Sequence, residues 1–134
     1  MLETLIGATV ALTADRVTKM LVARRLSPGS TGAQLPGLTI RRLDHRKRGH
    51  RTASVIITFL FACMAILAAI QWGILFHSAP AHFAIGTALG GAASNLYDLI
   101  TRGAVLDFID LGWWPVFNLA DVAITCGVIT ALLV

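Results

Sequence analysis

The chain has 134 residues, of which 56% are hydrophobic and 13% charged, with a formal net charge of +4. Its mean hydropathy is +0.75, whereas a soluble globular domain carries about 25% charged residues, so composition argues against an ordinary soluble domain and for a single membrane domain. The positive charge comes from one short segment and is not a nucleic-acid signal in itself.

The first segment, Leu2 to Leu26, is apolar up to Ala14 and then carries Asp15, Arg16 and Lys19. Glu3 stands at its start, and there is neither a basic leader nor a small-residue cleavage site, so it reads as a retained helix. Its length suits a span of about 20 residues. The stretch 27–52 is polar, and Pro28, Gly29, Gly32, Pro36 and Gly37 punctuate it as loop. Within it LTIRRL, Leu38 to Leu43, alternates like a short strand, and DHRKRGHR follows at Asp44 to Arg51.

The segment 53–76 contains no charged residue and is the clearest transmembrane helix. HSAPAH, His77 to His82, reads as a turn. The fourth segment, 83–100, is rich in small residues; Gly86, Gly90 and Gly91 with Ala92 and Ala93 permit close helix approach. A last helix is expected over 117–134. The expectation is one all-α membrane domain of four transmembrane helices, with a small β-like region in the loop after the first. VLDFIDLGWWPV reads as a connection at the membrane–water boundary, where Trp113 and Trp114 beside Pro115 are at home.

Four of the seven acidic residues, Asp98, Asp107, Asp110 and Asp121, gather in the stretch from Asn95 to Asp121. Asn-Leu-x-Asp occurs there twice, as NLYD and NLAD. Residues three apart share a helix face, so Asn95 and Asp98 can meet near the end of one helix, and Asn118 and Asp121 near the start of the next. The short connection keeps both ends on one side of the membrane. Asp107 lies between them among Val105, Leu106, Phe108 and Ile109.

Ionisable groups at membrane depth are costly and are functional candidates by default. Two carboxylates close together cannot both ionise easily; one becomes a base while the other holds a proton. Such a pair can activate water and protonate a departing amine. Which two of the four aspartates meet stays open at this level; Asp110, next to the Trp-Trp turn, reads as the least buried. Taken singly, the aspartates also fit helix capping, and the asparagines fit helix–helix hydrogen bonding.

Asp15 and Lys19 are spaced as an i,i+4 ion pair, either structural pairing near the site or direct contact with a ligand. Cys63 and Cys126 lie in apolar runs and read as small hydrophobes. The four histidines show no metal spacing, and no metal or cofactor is implied.

GGAASNLYD, then GAVLDFID, then FNLADVAITCG resemble the C-terminal signature of signal peptidase II, the lipoprotein signal peptidase family. DRVTK, Asp15 to Lys19, resembles that family's first-helix Asp-x-x-Ser/Thr-Lys motif. The resemblance covers most of the chain and is weakest in the first loop. It implies a four-helix aspartyl endopeptidase of the bacterial cell membrane that removes signal peptides from lipid-modified prolipoproteins, with membrane lipid around it, no nucleic acid, and a monomer expected. By position it implies Asp107 and Asp121 as the catalytic pair. Asp15, Lys19, Asn95, Asp98 and Asn118 match the family's substrate-binding or supporting residues.

Two positions depart from the family pattern. Leu99 follows Asp98 where the family has arginine; Arg102, one helical turn on, is the nearest candidate to substitute. RKRGHRTAS stands where the family has Asn-x-Gly-x-Ala-Phe. These departures motivate an alternative, a non-catalytic paralogue that binds a lipopeptide or lipid. Arg41, Arg42, Arg46, Lys47, Arg48 and Arg51 would draw their loop to the cytoplasm by the positive-inside rule. The resemblance instead puts that loop and the active site on the extracytoplasmic side.

Overall fold

The computed structural model describes residues 1–46 and 78–134. The helix expected at 53–76 lies outside the described residues, as do Lys47, Arg48 and Arg51 of the basic run. In chain order the described elements are α1 (Leu2–Arg25), β1 (Thr31–Leu35), β2 (Leu38–Arg46), α2 (Ala79–Arg102), β3 (Ala104–Asp110) and α3 (Leu119–Leu133).

Helix α1 buries Thr4, Gly7, Ala11, Asp15 and Lys19. Their spacing of three and then four residues makes one continuous face, and that face is turned to α2. Helix α2 packs against both α1 and α3. It starts ahead of Phe83 because the Ser78 side chain accepts the Ala81 N–H at 3.1 Å and Pro80 sits in the first turn.

Glycines set how close the helices come. A Cβ at Gly86 would collide with the Thr4 carbonyl of α1, and one at Gly90 with that of Ala8. The adjacent Gly91 faces the other way, where a Cβ would sit 2.6 Å from the Ala120 carbonyl of α3. Two neighbouring glycines thus admit two different helices.

VLDFID, expected as a connection, is strand β3. It completes an antiparallel sheet of order β1-β2-β3. Its Val, Phe and Ile suit a pleated surface, and its partner β2 is supplied from the loop after α1, with Leu43 opposite Asp107 and His45 opposite Val105. A single residue, Gly103, separates α2 from β3. It caps the helix in the left-handed region at φ 66°, which glycine enters without a Cβ penalty.

Past Asp110 the chain reverses. Phe117 N donates to Ile109 O at 3.1 Å, and the amides of Phe108 and Ile109 both donate to Phe117 O. At the turn Trp113 is 78% exposed, and Asp110 accepts the Gly112 N–H at 2.8 Å.

Arg42 of β2 is not a free basic charge. Its guanidinium donates to Leu26 O at 2.8 Å and Ala23 O at 3.3 Å, closing the C-terminal carbonyls of α1, and it pairs with Asp44.

The distribution of polarity is inverted relative to a water-soluble fold. Leu2, Leu5, Ile6, Val10, Val17, Leu21, Leu132 and Leu133 are exposed, while Asp15, Lys19, Asp98 and Asn118 are fully buried. Among the described residues, no helix is long and apolar enough to cross a membrane. Helix α3 has 15 residues, and α1 carries Asp15, Arg16 and Lys19 within its length. The described fold is three helices and a three-stranded sheet, which does not by itself establish the four transmembrane helices expected from the sequence.

Candidate active site

The polar residues of all three helices meet at one end of the bundle, beside β3. Lys19 is the centre of its α1 side. Its ammonium lies 2.7 Å from Asp15 Oδ2 and 2.9 Å from Asp98 Oδ2, and it donates to Asn95 Oδ1 at 2.7 Å. Of these three neighbours Asn95 accepts a hydrogen bond, and the two carboxylates pair with the ammonium by charge. Burying such an ion costs several kcal/mol unless paired and hydrogen-bonded, and here two carboxylates and an amide offset that cost.

Asp15 is held from three elements. Lys19 pairs with it on α1, Ser94 Oγ of α2 donates to Oδ2 at 2.6 Å, and the Ala120 N–H of α3 donates to Oδ1 at 2.8 Å. The last bond satisfies one of the orphan amides in the first turn of α3. Asp98 takes Lys19 on one oxygen and Arg16 on the other. The Arg16 guanidinium lies 4.2 Å from the centroid of the Tyr97 ring.

The second half of the cluster is built on Asn118, the N-cap of α3. Its side-chain oxygen accepts the Asp121 N–H at 3.0 Å, and its own N–H donates to Asp121 Oδ2 at 3.1 Å, a reciprocal capping box. Its Nδ2 donates to Asp107 Oδ1 at 2.7 Å and to Asn95 Oδ1 at 3.0 Å. Asn95 Nδ2 in turn donates to Asp121 Oδ1 at 2.9 Å. The strand reversal at Ile109 and Phe117 is what brings Asp107 of β3 beside the start of α3.

The structure therefore brings Asp15, Lys19, Asn95, Asp98, Asp107, Asn118 and Asp121 into one network of hydrogen bonds and ion pairs. It also sorts the aspartates that spacing leaves unsorted. Asp15 and Asp98 share the Lys19 ammonium; Asp107 and Asp121 meet at Asn118, the first taking its side-chain amide and the second its backbone N–H. Asp110 stands apart, engaged in the turn.

Sequence reading misses Ser94 and the Ala120 amide. The first has a signal in hindsight, since it lies one turn before Asp98 on the same face; the second has none, being a backbone group. Sequence reading names no partner for Asp98. Arg102 stays 3.9 Å from Oδ1, and the hydrogen-bonding arginine is Arg16 of α1. Spacing favours Arg102, four residues on along the same helix, but Arg16 reaches the carboxylate directly across the α1–α2 contact.

The model of the family described as Signal peptidase (SPase) II matches residues 7–134. A lipoprotein signal peptidase of Syntrophomonas wolfei is 36% identical over 123 residues, covering 89% of this chain and 83% of its own length. Those of Rhodococcus jostii and Mycobacterium leprae are 32% and 34% identical over 91% of this chain, which spans 66% and 65% of their respective lengths. Two solved structures of a bacterial membrane enzyme share the fold, with TM-scores of 0.86 and 0.85 over 97% of this chain and 90% and 85% of theirs. Each is 24% identical to this chain in sequence.

Proposed function

We propose that this chain, which belongs to the signal peptidase II family, is a membrane aspartic endopeptidase that removes the signal peptide from lipid-modified prolipoproteins. Asp107 and Asp121 are its catalytic pair. The observation that carries this is the Asn118 side chain, which donates to Asp107 Oδ1 while its backbone N–H donates to Asp121 Oδ2. One residue thereby holds the two carboxylates at a common point where β3 and α3 meet.

Two carboxylates so placed share a proton. One takes a proton from water as it attacks the scissile carbonyl; the other gives its proton to the departing amine. Both oxygens of Asp121 are directed by N–H donors, from Asn95 and from Asn118. A carboxylate fixed at both ends is suited to orient and deprotonate water. Asp107, at the edge of the sheet, then protonates the leaving group. Asp15, Lys19, Asn95 and Asp98 hold this geometry, and no metal or cofactor enters the scheme.

The setting is the bacterial cell membrane. The apolar outer surface of α1 and α3 faces lipid. The site lies at the extracytoplasmic boundary, reached by the substrate from the bilayer. Engagement of Arg42 at the end of α1 takes one of the six basic residues out of the solvated set that the positive-inside rule counts.

Asp107→Asn and Asp121→Asn, assayed in membranes on a lipid-modified prolipoprotein, are each expected to lower processing by at least about 100-fold. Undiminished cleavage in either variant sinks the assignment.

A further inference from the structure

Asparagine occurs in this chain only as Asn95 and Asn118, and both lie in the cluster. An amide has one accepting and one donating end, and its orientation decides what it does for a neighbouring carboxylate. Asn95 Oδ1 takes Lys19 Nζ at 2.7 Å and Asn118 Nδ2 at 3.0 Å, which leaves its Nδ2 to donate to Asp121 Oδ1 at 2.9 Å. The reversed amide would set an NH2 against an ammonium and a second NH2, and an oxygen against a carboxylate. Lys19 therefore dictates the polarity of Asn95.

Lys19 keeps its place through the carboxylates around it. Asp98 Oδ2 lies 2.9 Å from the ammonium. The other Asp98 oxygen is held by Arg16, which reaches over from α1 and stacks on Tyr97. Arg102 stands off at 3.9 Å, and its side chain is 39% exposed against 26% for Arg16. A continuous line of contacts runs from Arg16 through Asp98, Lys19 and Asn95 to Asp121.

We infer that Arg16 is a positioning residue for the cleavage reaction, fixing Asp98 and, through Lys19, the Asn95 amide that holds Asp121. This rests on the reading of Asp121 as one of the catalytic pair. Without Arg16 the Asp98 carboxylate turns toward Arg102, Lys19 follows it, and Asn95 is no longer held in one orientation. Displacing the group that aims a reacting carboxylate costs turnover more than binding.

The test uses the full chain in detergent micelles, with two measurements. One is kcat and KM on a lipid-modified prolipoprotein. The other is 15N NMR of protein labelled at asparagine, which has only two side-chain amides to report; Asn95→Asp serves to assign them. Arg16→Gln is expected to lower kcat roughly tenfold with KM within about twofold, and to shift the Asn95 side-chain amide and speed its exchange with water. Arg102→Gln is expected to leave both unchanged. Arg16→Lys, which keeps a cation on the same oxygen without the planar fork, should recover most of kcat and shift the amide less.

An Asn95 amide that does not move in Arg16→Gln, or that moves more in Arg102→Gln, overturns the inference. So does a fall in kcat without movement of that amide. If Arg16→Gln does not fold, Arg16→Lys decides by the same signal, and an unmoved amide counts against the line of contacts. A parent chain that leaves the substrate whole removes the peptidase reading, while the amide signals still decide whether Arg16 governs Asn95.

Discussion

Two pairs of aspartates stand next to each other at the end of this bundle, and they are bridged by different chemistry. Asp15 and Asp98 close on an ammonium buried between α1 and α2. Asp107 and Asp121 close on one residue, Asn118, at the corner of β3 and α3, through its side-chain amide and its backbone N–H respectively. An ammonium between two carboxylates makes a neutralising contact whose worth is structural. N–H donors orient carboxylates without neutralising them. On the proposed reading, fully buried Asp15 and Asp98 form the frame, and the less enclosed Asp107 and Asp121 carry the chemistry.

The comparison can be broken most forcefully at Lys19. Lys19→Met leaves two buried carboxylates without their common cation and is expected to cost about 3–5 kcal/mol of stability, read by thermal unfolding in micelles. A loss below about 1 kcal/mol would show that this pair is not a frame. Ser94→Ala removes one of the bonds to Asp15. A hydrogen bond to a charged group is worth about 1.5–3 kcal/mol, and the same unfolding measurement checks it.

Asn118→Ala tests the other side. Loss of the cap is expected to cost about 1 kcal/mol, whereas cleavage should fall by about 100-fold, out of proportion to stability. Activity that falls only in step with stability would mean that the amide does not organise the pair. Arg102→Gln sets the baseline. A half-exposed arginine 3.9 Å from its partner should change stability by less than about 0.5 kcal/mol.

Much of this site can be read from spacing. Asn-Leu-x-Asp puts Asn95 with Asp98 and Asn118 with Asp121, and both placements hold in the structure, although Asn118 acts from the cap and not from within the helix. The resemblance singles out Asp107 from Asp110 and Asp98, which spacing cannot do. What stays hidden is what depends on distant partners. Strand β3 exists because β2, from the loop after α1, pairs with it, and a seven-residue run between two helices carries no trace of that partner. Arg16 and Arg42 read as members of charged runs. Their roles, on Asp98 and on the carbonyls at the end of α1, depend on tertiary neighbours that sequence proximity does not reveal. Close approach of the helices is legible in GTALGGAAS, but the division of labour between Gly90 and Gly91 requires the rotation of α2 to be known.

The single residue between α2 and β3 has a mechanical consequence. Only Gly103 lies between α2 and the strand bearing Asp107, so Asp98 and Asp107 stand on either side of one short joint. Asp121 stands on α3, whose start is bonded to β3 through Phe117 and Asn118. A change in the separation of the two carboxylates therefore requires α3 to slide or tilt against both α2 and β3. That motion is resisted by a backbone contact at Gly91 and Ala120, and by the amides of Asn95 and Asn118 clasped across the seam. On the proposed reading, a joint at Gly103, a notch at Gly91 and a clasp of two asparagines together hold the two carboxylates in register.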